Sequence, residues 1–262
     1  MFAILGLVAT PALTSSAAIA APAAPASRVV YDALGDSYAS GYGVPPYGAC
    51  GRSLGGAYPE LLDGRQRLQL EDFVACAGAT TTSLVAGGQL AALDAQTDLV
   101  TLTIGGNDIG WSTAVTACLA GTDAQCAGAI ALVEGRATNQ LPGLLDAVYA
   151  SVAAAAPNAH VVVTGYPRLF SPEYGAYLGA SSAEQSALNA GADTLDAVIA
   201  AAATRGGFQY VDVRQRFDGH GVNSPDAWIH GPFDPAAFHP TAEGYDAYAA
   251  AVNSALGPVK LR

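Results

Sequence analysis

A serine near one end of the chain and a histidine near the other have the residue types needed for acyl transfer. Leu34-Gly35-Asp36-Ser37-Tyr38 follows a short apolar run, Val29–Ala33. A Gly-Asp-Ser at the end of a first strand can present a hydroxyl at the rim of a sheet. Serine at such a turn also serves as a helix cap, and the G-x-S-x-G elbow of the α/β-hydrolases is absent at Ser37. Far downstream, Phe238-His239-Pro240-Thr241 offers an imidazole as base. Pro240 pushes the His239 backbone toward extended geometry just before a helix opens. Between the two lies Ile104-Gly105-Gly106-Asn107-Asp108. Its glycines permit a tight turn after a strand, and Asn107 can aim its side-chain NH₂ at a developing oxyanion. Gly78, in Ala75-Cys76-Ala77-Gly78-Ala79-Thr80, can expose an unpaired N–H, and Ser37 can add its own. Nucleophile, base and oxyanion donors together make an acyl-transfer site. Among the other histidines, His160 begins a strand and His220 sits in a Gly-flanked loop. His230, in Ala227-Trp228-Ile229-His230, is the one competitor for the role of base.

The elements that must position these residues alternate. Strand-like runs cover Val29–Leu34, Asp72–Ala75, Leu99–Ile104, His160–Thr164 and Gln209–Val213. The third and fourth are continuous and rich in β-branched residues, as in strands buried on both faces. Helical stretches are expected at Tyr58–Leu62, at Ile130–Ala156 with a break near Leu141-Pro142-Gly143, at Ser182–Thr204 and at Ala242–Leu256. Ser181 with Glu184 three residues on forms a capping box, and Gly206-Gly207 and Gly257-Pro258 are stops. Strand–helix alternation predicts an α/β fold with a doubly wound parallel sheet. In such sheets the active crevice lies beyond the carboxyl ends of the strands. Ser37, Gly78 and Asn107 each follow a strand and His239 precedes the last helix, so all four can converge on one rim.

Composition narrows the function classes. The 262 residues suffice for one domain, expected over residues 27–262. The net charge is −11, and Lys260 is the sole lysine. With no cluster of basic side chains, a nucleic-acid partner is not expected. Met1 to about Ala26 reads as a secretion signal, with an apolar Phe2–Val8 and A-x-A sites at Ala18-Ile19-Ala20 and Ala24-Pro25-Ala26, although no Lys or Arg precedes the apolar run. No segment is long enough for a stable membrane span. Secretion and a monomer are therefore expected. Four cysteines remain, Cys50, Cys76, Cys118 and Cys126, an even number that suggests two disulfides. Three pairings are open, with Cys118 and Cys126 natural local partners around a short loop. The alternative of a zinc site lacks a C-x-x-C and a nearby histidine.

The four blocks, in this order from Val29 to the final helix, resemble the SGNH hydrolases, also called GDSL-type esterases and lipases. The likeness looks closest to the secreted actinomycete lipases and phospholipases of that family. The motifs that carry it are Gly-Asp-Ser-Tyr-Ala-Ser-Gly, Ala-Cys-Ala-Gly-Ala, Thr-Ile-Gly-Gly-Asn-Asp and His-Pro-Thr-Ala. The resemblance implies Ser37 as nucleophile, Gly78 and Asn107 as oxyanion donors and His239 as general base. It also implies pairs Cys50–Cys76 and Cys118–Cys126. The fold it implies is a flavodoxin-like three-layer α/β/α sandwich with a five-stranded parallel sheet in the order 2-1-3-4-5. No metal or cofactor is implied. One departure stands out: the family places an aspartate three residues before the histidine, and here that position is Ala236. The Ala236 carbonyl can accept the His239 Nδ1–H and give a Ser-His dyad, Asp234 can reach in through a rearranged loop, or the enzyme is impaired. The first is favoured, because a carbonyl can fix the tautomer. The expected activity is carboxylic ester hydrolysis. Lipid acyl esters are the first substrate class, from the resemblance and from the apolar loop residues Trp111, Trp228, Ile229, Phe233 and Phe238. Short-chain or carbohydrate esters, acyl transfer to another acceptor, and a non-catalytic surface-binding role are the alternatives.

Overall fold

The computed structural model describes residues 1–3 and 27–257, so the expected leader lies almost wholly outside the described residues. Five strands form one parallel sheet: β1 Val29–Gly35, β2 Leu68–Phe73, β3 Leu99–Thr103, β4 His160–Thr164 and β5 Gln209–Val211. Their order is β2-β1-β3-β4-β5, as the resemblance implied. The chain starts in the middle of the sheet and reverses direction after β2. The carboxyl ends of β1 and β3 therefore lie side by side, Gly35 in register with Thr103. This is the topological switch point at which open α/β sheets hold their ligands.

Nine α-helices connect the strands among the described residues. In chain order they are α1 Ser37–Ser40, α2 Tyr58–Leu62, α3 Thr81–Ala86, α4 Gly106–Ile109, α5 Trp111–Ala120, α6 Asp123–Asn139, α7 Leu141–Ala155, α8 Ser182–Arg205 and α9 Ala242–Leu256. Strand residues alternate between two buried layers. Val29, Tyr31 and Ala33 pack with Tyr58, Tyr248 and Val252 on one face, and Val100, Leu102 and Val163 pack with Leu145, Val152 and Ile199 on the other. Burial on both faces accounts for the continuous apolar runs of β3 and β4.

Two expectations need correcting. The second strand lies at Leu68–Phe73 rather than Asp72–Ala75. It is an edge strand, only one residue of which is buried, so its sequence carries polar residues where a central strand would be apolar. Its pairing with β1 also shifts register between Tyr31 and Asp32, which blurs the alternation. The second expected helical stretch starts at Asp123 rather than Ile130, behind a capping box in which Thr122 accepts from the Gln125 N–H, and α5 precedes it. The expected break falls between α6 and α7, with Pro142 in the first turn of α7. The cysteines pair as Cys50–Cys76 and Cys118–Cys126.

Candidate active site

β1 delivers Ser37 to the rim through a turn that tolerates no other backbone. Gly35 has φ +136°, and a Cβ there would run into the carbonyl of Thr103. Buried Gln89 grips the same residue from both sides, its Oε1 accepting from Gly35 N at 2.8 Å and its Nε2 donating to Gly35 O at 3.0 Å. Asp36 then caps α1, its Oδ1 accepting from Tyr38 N at 2.9 Å. Ser37 is therefore the first residue of a helix rather than its cap, and its own N–H donates to no group among the described residues.

The Ser37 Oγ lies 2.8 Å from His239 Nε2. On the other side of the ring, Nδ1 faces two main-chain carbonyls, Ala237 O at 3.0 Å and Ala236 O at 3.2 Å. A nitrogen between two acceptors must carry the proton, which leaves Nε2 with the lone pair that the Ser37 hydroxyl meets. The loop is held to the nucleophile turn by Tyr38, whose hydroxyl donates to Phe238 O at 2.6 Å. Phe238 adopts φ +64°, a conformation of about 1–3 kcal/mol strain for a residue with a Cβ. Burial lowers the His239 pKa from its ordinary value, opposed by its hydrogen bonds to the two carbonyls. At neutral pH the imidazole is therefore an unprotonated base.

Asp234 does not touch His239. Its Oδ1 accepts from Ala236 N at 2.7 Å, and its Oδ2 sits 3.3 Å from His230 Nδ1. His230 in turn uses Nε2 on Gly43 O at 3.0 Å and makes no hydrogen bond to Ser37. His160 pairs with Gln209, and His220 stacks on Trp228 at 3.6 Å.

Asn107 follows β3 on α4. Its Nδ2 donates one hydrogen to Ala79 O at 2.9 Å, leaving a second for a ligand. That bond ties Asn107 to the turn that carries Gly78. Gly78 has φ +80°, is exposed, and its N–H meets no acceptor among the described residues. The turn is braced further by the Cys50–Cys76 disulfide and by Ala77 N donating to Cys50 O at 2.9 Å. Asp108 accepts from Thr81 Oγ1 at 2.7 Å and so pins α4 to α3. Ser37, Asn107 and His239 open into one cavity of about 100 Å³, whose other walls include Trp111, Leu169, Ala192 and Leu195. Gly78 does not line that cavity; it lines a neighbouring groove with Cys76, Ala77 and Ala79.

The hydroxyl, the imidazole and Asn107 share one cavity, and Gly78 stands outside it. Residues 33–247 match the GDSL-like lipase/acylhydrolase family. Lipase 1 of Streptomyces coelicolor is 40% identical over 247 residues, covering 92% of this chain and 91% of that protein. The chain belongs to this family of carboxylic ester hydrolases. Among solved structures, a phospholipase A1 from Streptomyces albidoflavus superposes with TM-score 0.82 at 38% identity, over 87% of this chain and all of that one. An extracellular lipase from Streptomyces rimosus gives TM-score 0.81 at 38% identity, over 87% and 99% of the two chains.

Sequence reasoning missed three side chains that organise this family site: Gln89, Tyr166 and the capping Asp36. Tyr166 donates to Asp36 Oδ2 at 2.5 Å, and burial pushes the Asp36 pKa up to about 7. Asp36 stood inside a motif already singled out, and its Asx position before a helix was the available signal. Gln89 and Tyr166 act across 54 and 130 residues of chain and have no local signature. Among the apolar loop residues, Trp111 lines the cavity, Ile229 is core, Trp228 and Phe238 are half-buried, and Phe233 is 89% exposed. No helix among the described residues is long and apolar enough to cross a membrane.

Proposed function

We propose that the protein is an exported serine hydrolase of lipid acyl esters that works through a Ser37–His239 dyad. The observation that carries the reading is the 2.8 Å contact between Ser37 Oγ and His239 Nε2, with Nδ1 engaged by carbonyls behind it. Ser37 Oγ attacks the ester carbonyl as His239 Nε2 takes its proton. The oxyanion of the tetrahedral intermediate is held by the N–H groups of Ser37 and Gly78 and the free Nδ2–H of Asn107. The imidazolium then gives its proton to the leaving alcohol. Water, activated by the same nitrogen, releases the acid from the acyl-enzyme. The main-chain carbonyls of Ala237 and Ala236 take the orienting role of the usual third member, fixing the tautomer without supplying a full negative charge.

The apolar walls Trp111, Leu169, Ala192 and Leu195 favour an acyl chain over a sugar in the cavity. The relatives, a lipase and a phospholipase A1, point the same way. Export is supported by the leader-like residues 1–26, by two disulfides and by the extracellular description of the Streptomyces rimosus lipase. The test is turnover of a p-nitrophenyl acyl ester series and of phospholipid vesicles by wild type, Ser37→Ala and His239→Ala. A fluorophosphonate probe should label the wild type and not Ser37→Ala. Turnover retained by either folded variant refutes the assignment, and a preference for acetyl over longer acyl groups refutes the lipid reading.

A further inference from the structure

Tyr166 lies just beyond the end of β4, next to the two turns that carry the reacting groups. Its side chain is 7% exposed, and its ring stands edge-on to Tyr38 with centroids 5.1 Å apart. Its backbone N–H is anchored on buried Asp196 at 2.9 Å. The hydroxyl makes two hydrogen bonds of opposite sense. It donates to Asp36 Oδ2 at 2.5 Å and accepts from Gly106 N at 3.1 Å. Asp36 immediately precedes Ser37, and Gly106 immediately precedes Asn107. One phenol oxygen therefore joins the turn of the nucleophile to the turn of the oxyanion donor. The fit is close on the Gly106 side, where a Cβ would stand 3.3 Å from Tyr166 Cζ.

We propose that Tyr166 is a positioning residue for acylation, holding the Ser37 and Asn107 turns in the one relative placement at which attacking oxygen and oxyanion donor face the same carbonyl. The inference rests on the roles proposed above for Ser37 and Asn107. The two turns leave different strands, and small errors between reacting groups cost large factors in rate, on the order of 10²-fold for 1 Å. Asp36 accepts the Tyr38 N–H on Oδ1 and the phenol on Oδ2, so removing the phenol leaves Oδ2 without its partner.

Tyr166→Phe keeps the ring and deletes both bonds. On a soluble p-nitrophenyl ester kcat should fall about 10- to 100-fold, the scale of a hydrogen bond to a carboxyl partner, with KM within about twofold. The rate of fluorophosphonate labelling should fall in step, because that reaction uses Ser37 and the oxyanion donors but no deacylation. A merely structural bond would lower the melting temperature and leave kcat per labelled site within about twofold of wild type. That result overturns the inference, as does a raised KM with unchanged kcat, which would make Tyr166 only a wall of the cavity. Should Tyr166→Phe fail to fold, Gly106→Ala serves in its place. Its Cβ would crowd the phenol and make it give by a few tenths of an ångström, which should lower kcat at constant KM, while wild-type kcat in that variant overturns the inference. Ser37→Ala separates the two levels: its activity tests the dyad, whereas an inactive Ser37→Ala beside an unimpaired Tyr166→Phe defeats the bridging role alone.

Discussion

Replacing Asp234 by asparagine distinguishes a carbonyl-oriented histidine from a carboxylate-oriented one. In a Ser-His-Asp triad, converting the aspartate to asparagine costs about 10⁴ in kcat, because the imidazole is turned to the wrong tautomer. Here the Asp234 carboxylate contacts two groups, and neither is His239. Oδ1 closes a turn onto Ala236 N at 2.7 Å, and Oδ2 faces His230 at 3.3 Å. Asparagine keeps the Oδ1 acceptor, so the turn that presents the Ala236 and Ala237 carbonyls survives. What is lost is a half-exposed contact to His230, worth about 0–1 kcal/mol. At 1.36 kcal/mol per factor of ten, kcat should stay within about fivefold of wild type. Asp234→Ala also removes the turn bond, worth about 1 kcal/mol, and should be the more impaired of the two. The assay is kcat and KM on a soluble p-nitrophenyl ester. A fall of 10³ or more in kcat for Asp234→Asn, with KM unchanged, would show that Asp234 orients the base during turnover and would refute the dyad.

Asn107→Ala should lower kcat by roughly 10²- to 10³-fold, about 2.7–4 kcal/mol of barrier, and a loss below fivefold removes Asn107 from the oxyanion site. The pH profile of kcat/KM should hold level down to below about pH 6.5, because burial lowers the His239 pKa and the neutral ring is the active form. The same depressed value makes His239 a source of stability that is present above its unfolded pKa and lost as pH falls through the folded one; an acid limb centred above 6.5 contradicts both. Cys50→Ser with Cys76→Ser should destabilise the protein by about 3.5 kcal/mol, against about 2.5 kcal/mol for the shorter Cys118–Cys126 loop, from the sequence separations of 26 and 8. Only the first pair braces the Gly78 turn, so only its loss should also lower kcat per folded molecule, and equal kcat in the two double variants would deny the Gly78 turn a part in catalysis.

How much of this was legible in the sequence depends on the range over which each feature is determined. Ser181 and Glu184 announce the start of α8 because the capping box is complete within four residues. β3 and β4 are readable because burial on both faces forces an unbroken apolar run. β2 was misplaced because an edge strand is specified by its neighbour's register rather than by its own pattern. The start of α6 is set by Thr122 and Gln125, whose capping box precedes the alanine-rich run by several residues. The four blocks around Ser37, Gly78, Asn107 and His239 were visible because each turn needs particular residue types. The carbonyls that orient His239 have no residue type at all, and every amino acid supplies one. The absence of an aspartate at Ala236 raised the question, and only the path of the loop places Ala237 O as the nearer acceptor.

A carboxylate behind His239 would stabilise the imidazolium, but it would also raise the imidazole pKa and need desolvation partners of its own. Two carbonyl dipoles fix the ring and raise its pKa by less than burial lowers it, so the base stays unprotonated. Of the buried acids, Asp36 is the one beside the nucleophile, and burial pushes its pKa up to about 7. No carboxylate among the described residues hydrogen-bonds the His239 ring as the proton arrives from Ser37. Charge development in the transition state must be met mainly on the other side, by the N–H groups around the oxyanion. It follows that the donors should matter more here than in a triad enzyme, and that the Asn107→Ala loss should lie nearer 10³ than 10². A loss near tenfold, with Ser37→Ala inactive, would mean that the imidazolium is stabilised by a group other than these carbonyls.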